Sequence, residues 1–478
     1  MGPAVELHNL VDGREVDALS GATLPLVDPS TGVEYGTAPL TRWTDVDQVM
    51  AAAAAAFEPW SRTTPHERHR ALLRIAAAIE DRAEEFVEAE CRNTGKPWAV
   101  VRDQELPRAV DVLRFYAAAA RVQEGSASTE YQPQHTSFAR REPIGVCAQV
   151  TSWTHPLLLA TSKLAPALAA GNTVVLKPAE TTPVTAAMLV ELAGEFLPPG
   201  VLNLICGDRD SGRAMVAHEV PGMFSITGTV RSGMEVAGSV AADLKRAHLQ
   251  LGGKAPAVVF ADADLQRASR RLAEAAFDNA GQSCTAASRV LVEDAVYDEV
   301  VEALVGHARR MRPGAPREAG AAFGPLNSSG QRELVSEVLQ WLPGHARIAA
   351  GGRHVGDEGF FHEATVVADV AQEDELVQNE VLGPVVTVQR FSGEQQALEL
   401  ANGVRYGLVG SVWTADHARA MRFSQQLQAG TVWINAHHPM AVEMPHSGFK
   451  HSASARDFGR YGLEEYSRLK HVMSYVDE

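Results

Sequence analysis

The sequence has 478 residues, is 45% hydrophobic and carries a formal net charge of −16 at pH 7. A chain of this length exceeds one simple core, so we expect two or more domains. The acidic balance, with no basic cluster, argues against nucleic acid or anionic membrane as a partner. Four widely spaced cysteines favour neither a metal site nor a disulfide framework. No apolar run is long enough to span a bilayer, and no leader-like segment opens the sequence, so we expect a cytoplasmic protein.

The first quarter of the sequence changes from strand-like to helical patterns. Residues 1–40 contain short strand-like pieces separated by glycine and proline. A helix that ends near Phe57 follows, and Thr44 or Asp45 is expected to cap it. Two further helices are predicted, and the last of them is expected to carry Glu105 on its solvated face.

Short apolar runs then alternate with helical segments. The runs with the length and composition of buried parallel strands are 144–150, 173–176, 202–206 and 224–226, and later 257–260 and 288–292. This alternation predicts a doubly wound α/β fold. The usual glycine-rich dinucleotide fingerprint is absent, since GDRDSG at 207–212 matches it only loosely.

Cys284 is the candidate nucleophile. It lies in AGQSCTAAS, a run of small and hydroxylated residues that leaves room for a substrate to reach the thiol. A lone cysteine is more often an inert core residue, so the spacing alone does not decide between these interpretations.

Five motifs spread along the chain favour the interpretation of Cys284 as a nucleophile. They are LAPALAAGNTVVLKPAE at 164–180, TGTVRSG at 227–233, LGGK at 251–254, GQSC at 281–284 and EVLGP at 380–384. In order and interval the sequence resembles the aldehyde dehydrogenase superfamily over nearly its whole length. NAGQSCTAASRV, VWTADHARA, MPHSGFK and YGLEEYSRLKHVM are most similar to its betaine aldehyde and gamma-aminobutyraldehyde branch.

The resemblance implies an α/β fold with a Rossmann-like NAD-binding domain, a second α/β catalytic domain and a small β arm for oligomerisation. The NAD-binding domain would comprise 1–122 and 140–251, and the catalytic domain 252–445. The arm would comprise 123–139 and 446–478. A homodimer or homotetramer is therefore expected.

The resemblance also implies NAD as the cofactor. Lys177 would donate to the adenosine ribose, and Glu180 would accept from both ribose hydroxyls while repelling a 2′-phosphate. Without the resemblance, Glu180 could equally be a helix cap. The implied cofactor contacts are Trp153, Lys177, Glu180, Gly212, Thr227, Gly228, Thr229, Ser232, Leu251, Gly252, Gln331, Glu380 and Leu382.

Two catalytic positions depart from the pattern of the superfamily. Gln250 stands where the superfamily has the glutamate that activates the hydrolytic water, and an amide is no useful base near pH 7. Thr154 stands where it has the asparagine that helps to stabilise the oxyanion, beside the backbone N–H of Cys284. The first change affects hydrolysis, and the second affects stabilisation of the oxyanion.

The implied reaction is NAD-dependent oxidation of an amino-aldehyde or related small aldehyde through a Cys284 thiohemiacetal and thioester, with hydrolysis impaired or rerouted. Another carboxylate, Asp457 or Glu443, could replace the missing base. Alternatively, the thioester could pass to coenzyme A or to the substrate's own amine, or the enzyme could run in reverse as an acyl reductase. The remaining alternative is a decayed nucleotide-binding protein without turnover.

Overall fold

The fold is described from a computed structural model over residues 4–477. Residues 1–3 and 478, which fall in the predicted NAD-binding and arm ranges, lie outside the described residues. The strands are β1 Val5–Glu6, β2 Asn9–Val11, β3 Arg14–Val16, β4 Thr23–Asp28, β5 Val33–Pro39, β6 Ser126–Gln132, β7 His135–Pro143, β8 Val146–Val150, β9 Thr173–Lys177, β10 Leu202–Leu204, β11 Met223–Thr227, β12 Arg246–Gln250, β13 Pro256–Val259, β14 Arg289–Glu293, β15 Arg347–Ala350, β16 Thr365–Ala368, β17 Val385–Phe391, β18 Tyr406–Gly407, β19 Val409–Trp413, β20 Thr431–Ile434, β21 His446–Ser447, β22 Phe449–Lys450, β23 Arg456–Asp457 and β24 Ser467–Tyr475.

Helices cover both faces of the larger sheets. They are α1 Trp43–Ser61, α2 Pro65–Asp81, α3 Ala83–Thr94, α4 Trp98–Val100, α5 Leu106–Ala120, α6 Pro156–Ala170, α7 Val184–Gly194, α8 Arg209–Ala217, α9 Val230–Ala241, α10 Leu265–Phe277, α11 Tyr297–Arg310, α12 Ser329–Gln340, α13 Glu375–Gln378, α14 Gly393–Asn402, α15 His417–Gln426 and α16 Gly459–Glu465, with a π-helical turn at Val101–Glu105 and short 3₁₀ turns at Asp278–Gly281 and Asp294–Val296.

The first large sheet has seven strands in the order β12-β11-β8-β9-β10-β2-β3. The five from β12 to β10 are parallel, and the β2–β3 hairpin joins them antiparallel at one edge. Alternate residues of β9 serve different cores, since Val174 and Leu176 pack on one face and Val175 on the other. A strand buried on both faces must be apolar throughout, which is why these runs could be recognised in the sequence.

The second large sheet has seven strands in the order β15-β16-β17-β14-β13-β19-β20. All pairs are parallel except β15–β16 at the edge. Val290 and Val292 of β14 pack into one core and Leu291 into the other. Both sheets are thus doubly wound, as predicted from the alternation of strands and helices.

The two segments predicted to form an arm meet in a three-stranded antiparallel sheet, β24-β7-β6. The pairing of β24 with β7 runs from Ser467 opposite Pro143 to Tyr475 opposite His135. Every residue of β6 is exposed, so this sheet projects from the rest of the chain.

Two local predictions are wrong. The N-cap of α1 is Arg42 rather than Thr44 or Asp45, because the Asp45 carboxylate lies inside the first turn and accepts from the Arg42 N–H at 2.8 Å. Glu105 is buried rather than solvated, because it accepts a hydrogen bond from Lys96 Nζ at 2.7 Å. A charged partner makes its burial tolerable, and sequence periodicity does not reveal such a partner.

Candidate active site

A cavity of about 890 Å³ opens at the carboxyl ends of β8, β9 and β11. From β8 the chain adds β9 and β10 on one side and then crosses back to add β11 and β12 on the other, so the strand order reverses at β8. Ligands of open α/β sheets bind at such a switch point. The residues that line the cavity include Trp153, Thr154, Lys177, Glu180, Gly212, Thr227, Gly228, Thr229, Ser232, Leu251, Gly252, Cys284, Glu380 and Leu382.

Lys177 and Glu180 line this cavity where the chain leaves β9. Lys177 Nζ donates to the carbonyls of Pro178 at 2.9 Å and Gly207 at 2.7 Å, and burial lowers the pKa of Lys177. Two of its three N–H donors are therefore engaged, which leaves one for a ligand. Glu180 is exposed and does not cap α7, whose N-cap is Pro183. The capping interpretation of Glu180 is wrong.

The N-terminus of α9 faces the same cavity. Thr229 is its N-cap, and its hydroxyl accepts from the Ser232 N–H at 3.2 Å. The preceding Gly228 leaves the backbone uncovered by a side chain. First-turn N–H groups lack intrahelical acceptors, so this end of the helix is suited to a phosphate.

Glu380 also lines the cavity and lies in the loop between α13 and β17. Its carboxylate accepts from the Gly253 N–H at 2.9 Å, and a Cβ on Gly252 would overlap Glu380 Oε2. Burial raises the pKa of Glu380 to about 7, against the effect of the Gly253 hydrogen bond. Gln331 does not line the cavity in the described chain. Its Nε2 donates to the carbonyls of Val381 and Leu382 at 2.7 and 2.9 Å, so it contacts the loop that carries Glu380.

Cys284 lies in the loop between α10 and β14 and faces the cavity close to Glu380. A Cβ on Gly253 would overlap the carbonyl oxygen of Cys284, so a glycine is needed where the two loops cross. Burial, and to a lesser extent the charge of Glu380, raise the pKa of Cys284 to about 12. The thiol is therefore protonated at neutral pH before any ligand binds.

Replacing Glu380 with Gln is expected to speed alkylation of the Cys284 thiol in the cofactor-free protein. Removing the nearby negative charge lowers the pKa of the thiol, and a shift of up to about one unit raises the thiolate fraction up to about tenfold. The measurement is the rate of iodoacetamide labelling across alkaline pH. Cys284→Ala supplies the background from the three buried cysteines. An unchanged rate profile would contradict the electrostatic coupling.

Gln250 ends β12 and is 4% exposed. Its Nε2 donates to the carbonyls of His446 at 2.9 Å and Ala455 at 3.3 Å. Its Oε1 is buried and has no hydrogen-bond partner anywhere in residues 4–477. The amide is thus held in place by the backbone, with one acceptor free for a water molecule.

Thr154 lines the cavity beside Trp153. Ser152 Oγ donates to Thr154 Oγ1 at 3.4 Å, which leaves the Thr154 hydroxyl proton free for another acceptor. The Thr154 carbonyl accepts from Asn279 Nδ2 at 2.9 Å, and the same Nδ2 donates to Gln282 O at 3.0 Å. Asn279 therefore joins the Thr154 loop to the Cys284 loop. Sequence reasoning missed this residue, although asparagine suits its left-handed backbone at φ 50°.

His437 contacts the Cys284 loop outside the cavity lining. His437 contacts the Thr285 carbonyl through Nε2 at 3.0 Å and Ser411 Oγ through Nδ1 at 2.8 Å. Burial lowers the pKa of His155 and of His437 to about 3, so both rings are neutral near pH 7. Polar but uncharged groups therefore adjoin the nucleophile on this side.

Of the two predicted replacement bases, Asp457 is placed better than Glu443. Asp457 is 7% exposed, and its Oδ1 lies 3.3 Å from His248 Nε2. Asp457 also pairs with His446 across β21 and β23, and His446 contacts Gln250. Glu443 is exposed to solvent. Sequence reasoning missed His248, although the two-residue period of a strand puts it on the same face as Gln250.

Neither a metal centre nor a membrane span emerges from the described residues. No group of three or more histidine, cysteine or acidic side chains within 4–477 could hold a metal ion. No helix in that range is both long and apolar enough to cross a membrane.

Residues 16–472 match the family model described as "Aldehyde dehydrogenase family". The chain is 37% identical over 471 residues to betaine aldehyde dehydrogenase of Bacillus subtilis (strain 168), covering 97% of this chain and 96% of the relative. It is 37% identical over 462 residues to retinal dehydrogenase 2 of Mus musculus, covering 95% and 89%.

Solved structures of aldehyde dehydrogenases resemble the fold of this chain. The fold superposes on betaine aldehyde dehydrogenase from Staphylococcus aureus in complex with NAD+ with a TM-score of 0.95, 33% identity and coverage of 98% and 95%. The NAD-dependent aldehyde dehydrogenase from Sinorhizobium meliloti gives a TM-score of 0.97, 34% identity and coverage of 99% and 95%. The predicted fold is thereby confirmed, and the chain belongs to the aldehyde dehydrogenase family.

Proposed function

We propose that this chain oxidises an amino-aldehyde or related small aldehyde with NAD, through a Cys284 thiohemiacetal and thioester, and that thioester hydrolysis is its slow step. One observation carries the proposal. A single cavity is lined both by Glu180, suited to a ribose, and by the thiol of Cys284, with Glu380 beside it. A decayed nucleotide-binding protein has no need to keep the thiol in that cavity.

The groups that line the cavity fit NAD. Lys177 and Glu180 would hold the adenosine ribose, the N-terminus of α9 would hold the pyrophosphate, and Glu380 would hold the nicotinamide ribose. Relatives solved in complex with NAD+ support the same cofactor. When bound, NAD would supply the acceptor for the hydride that leaves the substrate carbon.

NAD rather than NADP is favoured by charge. Arg209 and Arg213 also line the cavity, but both pair with Glu235, and Arg213 also pairs with Asp210 at 3.0 Å. Their charges are therefore partly neutralised, whereas Glu180 is exposed and would repel a 2′-phosphate.

Cys284 carries the first half of the reaction. Its thiolate adds to the aldehyde carbon, and the oxyanion that forms would be stabilised by the Cys284 backbone N–H and the Thr154 hydroxyl. Because burial raises the pKa of the thiol, its proton must leave before attack, and the neighbouring charges of Glu380 and Asp457 oppose that step. We therefore expect a free enzyme with a protected, slowly reacting thiol.

In the second half of the reaction, water hydrolyses the thioester. Gln250 Oε1 can orient a water molecule but cannot remove its proton, so the general-base contribution of roughly 10²-fold to 10⁴-fold is absent at that position. We propose that Asp457 supplies part of it, since it is buried next to His446, which Gln250 contacts.

A burst experiment tests the proposal. NAD and an amino-aldehyde such as 4-aminobutanal are mixed rapidly with the protein, and NADH absorbance is followed. We expect about one NADH per site in a fast phase, then slow turnover, and no fast phase with Cys284→Ala. Failure of NAD to bind, together with no NADH from any aldehyde tried, would contradict the proposed enzymatic function.

Because the amide of Gln250 cannot act as a base, transfer of the thioester to an acceptor other than water is the second candidate for the later half-reaction. Addition of coenzyme A during the slow phase, and product analysis for a lactam, test two such acceptors. Acceleration by coenzyme A, or lactam as the main product, would replace hydrolysis as the second half-reaction. NADH-dependent reduction of an acyl thioester would identify the reverse reaction.

Gly252→Ala is expected to weaken NAD binding about tenfold or more. The new Cβ would displace the Glu380 carboxylate, and loss of one hydrogen bond to a charged group costs about 1.5 to 3 kcal/mol. Titration calorimetry with NAD measures the change. Gly238→Ala on α9 is the matched control, because its Cβ would meet nothing within 4 Å. Equal affinity in both variants would exclude Glu380 as a cofactor ligand.

We also propose a homodimer or homotetramer assembled through the projecting β6, β7 and β24 sheet. It exposes large apolar side chains, which a partner subunit would cover: Tyr131, Leu469, Met473 and Tyr475. The mass of the protein in solution, measured by light scattering, tests this arrangement.

A further inference from the structure

A second, much smaller cavity adjoins the loop that carries Glu380. Its volume is about 10 Å³, and its lining includes Lys254, Ser288 and Glu380. Glu380 also lines the cofactor cavity, whereas Lys254 and Ser288 line only the small one. A space of this volume suits one water molecule when two or more polar groups face it. The small cavity is therefore a place from which polar groups outside the cofactor cavity can act on Glu380.

The two glycines before Lys254 bring it to this place. The Gly253 N–H donates to Glu380 Oε1 at 2.9 Å, and a Cβ on Gly252 would overlap Glu380 Oε2. The Lys254 carbonyl accepts from Arg289 Nε on β14 at 3.0 Å. The backbone at Lys254 is thus fixed between the Glu380 carboxylate and β14, so its side chain starts next to both.

Lys254 and Ser288 both carry polar groups without a direct partner. Lys254 is 3% exposed, and within residues 4–477 no hydrogen bond contributes to the pKa of its ammonium group. Ser288 Oγ is buried and has no hydrogen-bond partner in the same range. A buried charge is costly unless it is paired. The one opposite charge that acts on Lys254 among the described residues is that of Glu380.

Lys254 and Glu380 support each other's charged forms. Burial and the charge of Arg289 lower the pKa of Lys254 to about 7, although the charge of Glu380 opposes them. Burial raises the pKa of Glu380 to about 7, although the Gly253 N–H and the charge of Lys254 oppose it. Arg289 is itself fully buried and adds a second positive charge to the region. Each member of the pair would lose its charge more readily without the other.

The other groups near Glu380 do not replace Lys254. Cys284, in the loop before β14, responds to the charge of Glu380 but carries only a thiol. Arg405 is exposed and donates to Asn379 Oδ1 at 2.9 Å, and its charge does not contribute to the pKa of Glu380. Within residues 4–477, Lys254 is therefore the one cation whose charge favours the ionised form of Glu380.

We propose that Lys254 is a positioning residue for the cofactor: its ammonium group, which shares the small cavity with Glu380, keeps the carboxylate ionised for the nicotinamide ribose. One water molecule held by Lys254 and Ser288 would extend a hydrogen bond from the ammonium group to the carboxylate. Hydroxyl groups donate more strongly to an ionised carboxylate than to a neutral one, so a protonated Glu380 would bind the ribose more weakly. This inference rests on the proposed function, because it takes NAD as the cofactor.

The pH dependence of NAD affinity, measured by titration calorimetry, tests this role. Lys254→Met keeps the length of the side chain without its charge. The pKa of Glu380 should then rise by up to about one unit, because the ionised form has lost its cation. NAD affinity should therefore fall by up to about tenfold near pH ~6, and should approach the native value near pH ~9, where Glu380 is ionised in both proteins.

Two further variants separate charge from packing. Lys254→Arg keeps the positive charge and should keep the acidic limb of NAD binding close to its native position. Ser288→Ala alters the same small cavity without changing any charge and should leave the limb in place. A loss of affinity in Lys254→Met that is equal at every pH, or an equal shift of the limb in Ser288→Ala, would overturn the inference. If Lys254→Met does not fold, Lys254→Gln takes its place with the same expectation.

Infrared spectroscopy of the cofactor-free protein separates this inference from the proposed function. The absorption of the protonated Glu380 carboxyl group is identified by its loss in Glu380→Gln, and its intensity is followed against pH. Its midpoint should lie at higher pH in Lys254→Met than in the native protein. An unmoved midpoint would overturn the inference. A native protein that binds no NAD at any pH, although Lys254→Met moves the midpoint, would contradict the proposed function alone.

Discussion

Gln250→Glu is expected to raise the steady-state rate of acid formation by about 10²-fold to 10⁴-fold, the range for a well-placed general base. In the native chain Nε2 donates to the carbonyls of His446 and Ala455. A carboxylate cannot make these contacts, and two carbonyl oxygens repel its charge. The pKa of the new Glu should therefore lie above its ordinary value, which suits a base that works near neutral pH.

The measurement is the NADH burst and the following turnover at several pH values. In Gln250→Glu the first turnover should still form one NADH per site, but this fast phase should merge into a steady state that is itself faster. Because the new base must be ionised, the rate should fall as the pH drops through its pKa. Adding Cys284→Ala should abolish all NADH formation. An unchanged steady state would show that hydrolysis is not limited by the missing base.

Most of the residues that the resemblance implied as cofactor contacts line one cavity. Its lining residues follow the apolar strands directly, as Lys177 and Glu180 follow β9 and Thr229 follows β11. Parallel strands that are buried on both faces are recognisable as apolar runs, and their carboxyl ends must meet at one edge. Position in sequence therefore fixed position in space.

Groups joined through side chains from distant segments could not be predicted in this way. Lys163, Ser225, His248 and Asp457 come from α6, β11, β12 and β23, and no periodicity relates them. Glu105 was misplaced for the same reason, because Lys96, which neutralises it, lies outside the π-helical turn that carries Glu105. The predicted division into two domains and an arm stays a prediction.

Thr154→Asn is expected to raise the rate constant of the NADH burst by up to about 10²-fold to 10³-fold, the contribution of one oxyanion donor. The Thr154 hydroxyl accepts from Ser152 Oγ at 3.4 Å, so its own proton is free, but it is carried on a short side chain that rotates. An asparagine amide reaches further and presents fixed N–H donors. The effect should appear in the burst, where the oxyanion first forms, rather than in hydrolysis alone.

Thr154→Val is the matched comparison, because valine has the shape of threonine without the hydroxyl. If Thr154 already serves as a donor, Thr154→Val should slow the burst while Thr154→Asn speeds it. The Thr154 backbone carbonyl, which accepts from Asn279 Nδ2 at 2.9 Å, is unchanged in both variants, so the two loops should stay joined. Equal burst rates in all three proteins would mean that the Cys284 N–H stabilises the oxyanion without help from this side chain. Threonine at this position would then have no part in the chemistry.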